Sequence, residues 1–304
     1  MASGSKKVIY AALLGNALIS VTKFVAAGMT GSSAMLSEGI HSLVDTGNQL
    51  LLLYGIKQAA KPADDDFPFG HGKEIYFWSF IVAILIFALG GGISIYEGIK
   101  HLSHPEPINN PLINYAVLGL AMVFEGAAWM FAFRAFKQVK GKWGYIEAIK
   151  RAKDPSIFVV LFEDTAAMLG LVVAFAGVAL SQITGILIFD SIASILIGLI
   201  LIGTSIWLAY ETKSLLIGES ANQGTIKGVR DILKANDSID HVNEVLTMHM
   251  GPDFVLANIS VDFDDSKTAD DIENIISSID QNIKQEYPEI KRIFIEAEKQ
   301  RKKS

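Results

Sequence analysis

The chain has 304 residues, of which 51% are hydrophobic, and its mean hydropathy is +0.37, more apolar than a typical soluble domain. Residues 1–218 hold 15 basic and 15 acidic side chains and residues 219–304 hold 11 and 17, so the second part alone produces the formal net charge of −6. An acidic part of this kind argues against nucleic acid and anionic lipid headgroups as partners and fits a small cation. The chain has no cysteine, which excludes disulfides and thiolate metal sites and leaves His, Asp, Glu, Asn and carbonyl groups as metal ligands.

Six apolar segments are long enough, at about 20 residues each, to cross a bilayer as helices. They cover approximately residues 8–28, 34–56, 75–99, 112–134, 156–182 and 186–210. The apolar run that follows Met1–Lys7 is too long for a signal peptide, so we expect it to remain as the first span. Basic residues such as Lys57, Lys137 and Lys213 fall in alternate connections. This bias places both termini in the cytoplasm or its topological equivalent.

The pattern changes after Gly218 to a small α+β unit. It predicts helices over 225–235 and 267–287 and strands over 242–250, 254–263 and 292–297, with a hairpin turn at Gly251-Pro252-Asp253. The order helix–strand–strand–helix–strand resembles a compact ferredoxin-like domain. The predicted fold is therefore a membrane protein with six transmembrane helices in residues 1–217, followed by a cytoplasmic ferredoxin-like domain in residues 218–304.

The second apolar segment contains an imidazole and a carboxylate four residues apart, His41 and Asp45. Residues at this spacing lie on one face of a helix, and ionisable groups at bilayer depth usually face a bundle interior or an aqueous path. Asp45, Glu125 and Asp164 each lie about ten residues from the end of a span, which at about 1.5 Å per residue is a similar depth. These groups indicate a cation site; hydrogen bonding between helices alone is the alternative reading.

Several motifs together resemble the cation diffusion facilitator family. They are Ser37–Asp45, Phe69-Gly70-His71-Gly72-Lys73, Asp164, Asp190-Ser191-Ile192-Ala193-Ser194 and the small C-terminal unit. The resemblance implies a homodimer of six-span protomers that exports a divalent metal, typically zinc, in exchange for protons. It implies a secondary transporter rather than an enzyme, with no permanent cofactor beyond the transported cation.

The family's central site pairs a His/Asp-x-x-x-Asp in the second span with another in the fifth. His41, Asp45 and Asp164 match three of these ligands, but the fourth position holds Val160, which cannot bind metal. Glu163, Glu125 or water could complete the site, and Glu163 is favoured although it is turned by about 100° around the helix. A site with one histidine and several carboxylates has a harder character, which leaves manganese, iron or cobalt open beside zinc.

Two further sites are expected from the resemblance to be weak or altered. His71 with Asp64 resembles the secondary loop site of the family, but the other histidine of that site falls at Phe67; His71 alternatively completes a tight Gly-His-Gly turn. The C-terminal dimer-interface site of better-known members is histidine-rich, whereas the corresponding positions here carry no histidine. They are Asn243, Asn258, Glu296 and Glu298.

These observations predict a proton-coupled exporter of divalent cations that works by alternating access in a prokaryotic plasma membrane. Two other classes remain open. A membrane-bound metal sensor or regulatory scaffold would bind without transport, and the missing ligand at Val160 favours it. A proton-coupled transporter of organic cations could use the same buried acids, but it would need a wider cavity with aromatic walls.

Overall fold

The computed structural model describes residues 3–104, 107, 110–140, 143–145, 148 and 153–300. The chain divides into two compact units. The first comprises Met1–Lys57 and Phe77–Lys213, and the second comprises Gln58–Tyr76 and Ser214–Ser304. The loop 58–76, which the sequence analysis placed with the membrane part, thus groups with the C-terminal residues.

Long helices make up the first unit. In chain order they are α1 (Ser3–Thr30), α2 (Ser33–Ala59), α3 (Glu74–Leu85), a π-helical segment (Ile86–Gly92), α4 (Ile93–Ser103), α5 (Pro111–Lys140), α6 (Pro155–Thr184) and α7 (Ile188–Ile217). α6 begins at Pro155, as expected for a residue that has no N–H to donate in the first turn. The three glycines 90–92 end the π-helical segment.

Four of the described helices are long and apolar enough to cross a membrane, namely Glu74–Ser103, Pro111–Lys137, Phe158–Thr184 and Ile188–Ile217. α2 does not meet this criterion, because Glu38, His41, Asp45 and Asn48 dilute its hydropathy. Part of the first predicted span, 8–28, falls on side chains outside those that the structure describes. Four of the six predicted spans are therefore supported, and the six-span arrangement remains a prediction.

α4 and α7 approach each other closely enough for backbone contact. A Cβ atom at Gly98 would lie 2.6 Å from Ile195 Cγ1 and 2.9 Å from the carbonyl oxygen of Ser191. Ser194 on α7 also donates a hydrogen bond to the carbonyl of Ser94 on α4 over 2.8 Å, and the Ser194 and Ser37 hydroxyls are 2.5 Å apart. Small residues and hydroxyl groups thus join α4, α7 and α2, as is common between helices in membranes.

The second unit contains a three-stranded sheet. After α8 (Gln223–Lys234) come β1 (Ile239–Gly251), β2 (Phe254–Phe263), α9 (Ala269–Glu286) and β3 (Ile290–Ala297). The strand order is β1-β2-β3, with β1 antiparallel and β3 parallel to β2. The central strand β2 contributes Val255, Ala257, Ile259 and Val261 to the core against α8 and α9. The predicted order of elements is observed, with β1 and β3 both beginning earlier than expected. The ferredoxin-like assignment remains a prediction.

The helix contact at Gly98 can be tested by adding a methyl group. Gly98→Ala places a Cβ against a backbone carbonyl that cannot rotate away, so we expect destabilisation of about 1–3 kcal/mol. Gly119→Ala in α5 is the matched control, because no atom lies within 4 Å of its Cβ position and alanine favours a helix interior by up to about 1 kcal/mol. Thermal unfolding in detergent measures both. A Gly98→Ala midpoint equal to that of Gly119→Ala would contradict the close contact.

Candidate metal site

α2 carries the predicted pair on one face. His41 Nδ1 lies 3.4 Å from Asp45 Oδ1, and both side chains are buried, with 1% and 10% of their surface exposed. The distance suits an ion pair but not a well-formed hydrogen bond. Among the described residues, neither ring nitrogen of His41 has a hydrogen-bond partner, and neither has Asp45 Oδ1. Buried polar atoms are normally satisfied, so these atoms lack what a bound cation would supply.

Three further carboxylates on two other helices lie within electrostatic range of Asp45. Glu125 lies on α5, and Glu163 and Asp164 lie on α6; all three are buried. Each interacts electrostatically with the Asp45 carboxylate. Like charges gathered in a low-dielectric interior repel one another strongly. The structure thus pairs His41 with Asp45 on α2 and places the other three predicted carboxylates within electrostatic range of Asp45.

This group is not a preformed coordination sphere. Within the part of the chain that the structure describes, no three His, Asp or Glu side chains lie close enough around one point to hold a metal ion. Glu163 Oε1 accepts a hydrogen bond from Asn48 Nδ2 at 2.7 Å, which joins α2 to α6 at the depth of Asp45. Val160, at the position of the missing ligand, is half-buried on α6.

Lys23 on α1 is a member of this centre that the sequence analysis missed. Its ammonium group is fully buried and donates to Glu38 Oε2 at 3.0 Å and to Ser42 Oγ at 2.7 Å. It also interacts electrostatically with His41, Asp45 and Glu125. A lysine inside the apolar segment 8–28 was the available signal, since an ionisable residue within a span indicates a functional site by default.

Asp190 at the start of α7 fixes the beginning of α2. Its carboxylate accepts hydrogen bonds from the Ser32 hydroxyl at 2.6 Å, from the Ser33 backbone N–H at 2.6 Å and hydroxyl at 2.9 Å, and from the Ala34 N–H at 3.3 Å. A carboxylate at a helix N-terminus satisfies its free N–H groups and complements the helix dipole. The helix that carries His41 and Asp45 is thereby anchored to α7.

The second unit contains the loop pair that was predicted from the resemblance. His71 Nε2 lies 2.9 Å from Asp64 Oδ2, and the Phe67 backbone N–H donates to Asp64 Oδ1 at 2.7 Å. The hydrogen bond from His71 and then that from Phe67 lower the pKa of the exposed Asp64 carboxyl. The centroid of the Phe67 ring lies 4.5 Å from that of the imidazole, with the two rings tilted by 42°, and Gly70 has φ +80°. These contacts also fit the tight-turn reading of His71.

Two of the four polar positions singled out in the C-terminal part form a closed network. Asn243 Nδ2 donates to Ser260 Oγ at 3.1 Å and to the carbonyl of Glu298 at 2.9 Å, and Ser260 donates to Glu298 Oε2 at 2.8 Å. The side chains here satisfy one another by hydrogen bonds. His249 on the same strand is buried, with Nδ1 3.3 Å from the Gly251 carbonyl.

Long apolar helices that bury several carboxylates and one imidazole are the features of an integral membrane protein with ionisable groups inside its helical unit. The model of the cation efflux transmembrane domain matches residues 9–217. The chain therefore belongs to the cation diffusion facilitator family, as the motifs indicated, and its relatives are transporters of divalent metal cations.

Three relatives show the range of the family. The chain is 32% identical to the proton-coupled zinc antiporter SLC30A9, mitochondrial, of Xenopus laevis, over 96% of this chain and 59% of the relative. It is 36% identical to the Mus musculus protein of the same name, over 86% of this chain and 46% of the relative. The manganese efflux system protein MneP of Bacillus subtilis is 24% identical over 96% of this chain and 95% of its own. The chain thus spans about half to three fifths of the two zinc antiporters.

The anchoring of α2 by Asp190 can be tested separately from any metal chemistry. Asp190→Ala removes the acceptor for four donors, so we expect a loss of about 1–3 kcal/mol in stability. Asp190→Asn retains a carbonyl oxygen and should lose less. Thermal unfolding in detergent is the measurement, and we expect the unfolding midpoint to fall in the order wild type, Asp190→Asn, Asp190→Ala. If both variants unfold at the wild-type midpoint, Asp190 does not anchor α2.

Proposed function

We propose that this protein exports a divalent metal cation in exchange for protons, by alternating access through the helical unit. The observation that carries the proposal is the buried pair on α2, whose His41 nitrogens and Asp45 Oδ1 have no hydrogen-bond partner among the described residues while three more carboxylates lie nearby. The relatives named as a proton-coupled zinc antiporter and a manganese efflux protein support it. In this proposal residues 1–217 form a six-span transport domain and residues 218–304 a ferredoxin-like cytoplasmic domain of a homodimer.

The proposed ligands are His41, Asp45 and Asp164, completed by Glu163, Glu125 or water. Glu163 is the favoured fourth ligand, because Asn48 holds one of its oxygens at 2.7 Å and leaves the other for a metal. A hydrogen bond of this kind orients a ligating carboxylate. His71 with Asp64, which lie 2.9 Å apart, form at most a secondary site in the loop.

Zinc is the proposed first cargo, with manganese, iron or cobalt as alternatives. Imidazole suits zinc, whereas oxygen donors suit harder ions such as manganese, and the proposed set has one nitrogen among carboxylates. The names of the relatives include both zinc and manganese. The basic connections support a topology with both termini cytoplasmic. We propose a prokaryotic plasma membrane, which the relative from Bacillus subtilis supports.

Competition between metal and protons for the same ligands would couple the two fluxes. Ligands must be deprotonated to hold a metal, so protons that enter the outward-facing site displace the ion. A potential of 100 mV, negative inside, opposes each net positive charge exported by about 2.3 kcal/mol. One proton per divalent cation works against that field, so either the proton gradient or a higher stoichiometry must compensate.

A membrane-bound metal sensor without transport is the second candidate. One observation favours it, namely that Val160 stands at the position of a family ligand. Metal binding to the purified protein with no uptake into vesicles would establish this alternative.

Transport in vesicles tests the central site. Asp45→Ala should abolish proton-driven uptake of zinc into inside-out vesicles, because it removes a proposed ligand that lies 3.4 Å from His41 Nδ1. The exposed loop variant Asp65→Ala is the control and should transport like wild type. Glu163→Gln and Glu125→Gln identify the fourth ligand by which one weakens metal affinity more. Full transport by Asp45→Ala would overturn the assignment.

His41 tests the choice of metal. His41→Asp replaces the sole nitrogen donor of the proposed set with oxygen, so the preference should shift from zinc toward manganese. The measurement is competition between the two ions for uptake, compared with His104→Asp as the control, because His104 is exposed and belongs to neither proposed site. An unchanged zinc-to-manganese preference in His41→Asp would rule out His41 as a ligand.

A further inference from the structure

The ion pair between Lys23 and Glu38 lies beside the proposed site but supplies none of its ligands. Both side chains are completely buried, and the two charged atoms are 3.0 Å apart. A buried ion pair recovers little more than the cost of removing its charges from water, and apolar residues of similar volume often replace it without loss. Stability alone therefore gives little reason for this pair.

The pair is held rigidly in place. Lys23 also donates to Ser42 Oγ at 2.7 Å, and Ser42 follows His41 directly in α2. The second carboxylate oxygen of Glu38, Oε1, lies against Gly170 on α6, where a Cβ atom would overlap it. Glu38 is thus confined between α1 and α6, and it keeps the ammonium group of Lys23 beside the central groups.

The charge on Lys23 acts on most of the centre. It interacts electrostatically with His41, Asp45 and Glu125, and Glu38 in turn interacts with Glu125. Such interactions are weakly screened in a low-dielectric interior. A divalent ion at His41 and Asp45 would therefore be repelled by the ammonium group.

We propose that Lys23 is an affinity-determining residue for the exchange. Its positive charge repels the bound metal and weakens its binding enough for the ion to leave, and the negative charge of Glu38 partly offsets that repulsion. This inference rests on the proposed function. The acidic groups would otherwise bind a divalent cation too tightly for rapid release, and a tightly bound ion lowers turnover. The pair acts through its field and not as a ligand.

A double-mutant cycle on Lys23 and Glu38 tests the proposal, because the two single variants are expected to shift the KM for zinc in opposite directions. Lys23→Met removes a positive charge and should lower the KM for zinc uptake about tenfold, with a lower maximal rate because release slows. Glu38→Gln removes a negative charge and should raise KM about tenfold for the same reason. The double variant Lys23→Met with Glu38→Gln restores the balance, so its KM should lie within about twofold of wild type. Zinc titration of the purified full-length protein should show the same order of affinities.

The pair of Lys100, which is exposed, and Glu97, which is half-buried, provides the controls. These residues are 3.5 Å apart, with the lysine side chain 59% exposed, so Lys100→Met and Glu97→Gln should leave KM unchanged. Where Lys23→Met does not fold, Lys23→Gln makes the same change of charge and can still donate to Glu38 and Ser42. Retention of a single gel-filtration peak in detergent identifies folded variants.

The outcomes separate the two proposals. Opposite shifts in KM that cancel in the double variant support the role of Lys23. If both single variants raise KM, or if they change only the maximal rate, the pair is structural and the inference is overturned. The proposed function stands in that case as long as the wild-type protein still shows proton-driven uptake. Absence of proton-driven uptake by the wild type would overturn the proposed function and the inference with it.

Discussion

The high cost of a charge in a low-dielectric interior is the constraint on which this structure depends. The polar groups of α2 are paired at three positions along the helix. Its first turn is bound by Asp190 of α7, its second by Lys23 of α1, and its middle by Glu163 of α6 through Asn48. Each polar group of α2 in these contacts has a partner on a different helix. α2 is thus the element to which three other helices are tied, and it carries the pair that remains unsatisfied.

Much of this arrangement follows from local sequence pattern. The four-residue spacing of His41 and Asp45 is enough to place both on one face of a helix, and the structure puts them 3.4 Å apart. The alternation of apolar residues in β2 and the turn after Gly251 likewise predicted the strands of the C-terminal unit. These features depend on neighbours within a few residues, which a single sequence displays directly.

The remaining features depend on partners far apart in the chain. Lys23 was missed because one lysine changes the mean hydropathy of a long apolar segment very little. Its partner Glu38 lies fifteen residues away on the next helix. The Asn48–Glu163 bond joins residues separated by 115 positions. The polar residues of α2 also lower its hydropathy, so that α2 is not among the helices apolar enough to be identified as membrane spans. The features that depart most from a simple apolar helix are therefore those that form the candidate site.

Charge balance connects the proposed exchange to this geometry. Apart from the Lys23–Glu38 pair, the centre holds four carboxylates and one imidazole. Arrival of a divalent ion adds two positive charges to a region that screens them poorly. In the proposed exchange, protons occupy the same groups when the metal leaves, so the total charge inside the bundle changes less than it would for metal alone. A transporter that moved the metal without protons would have to bear the full change in buried charge at each turnover, whereas exchange reduces it.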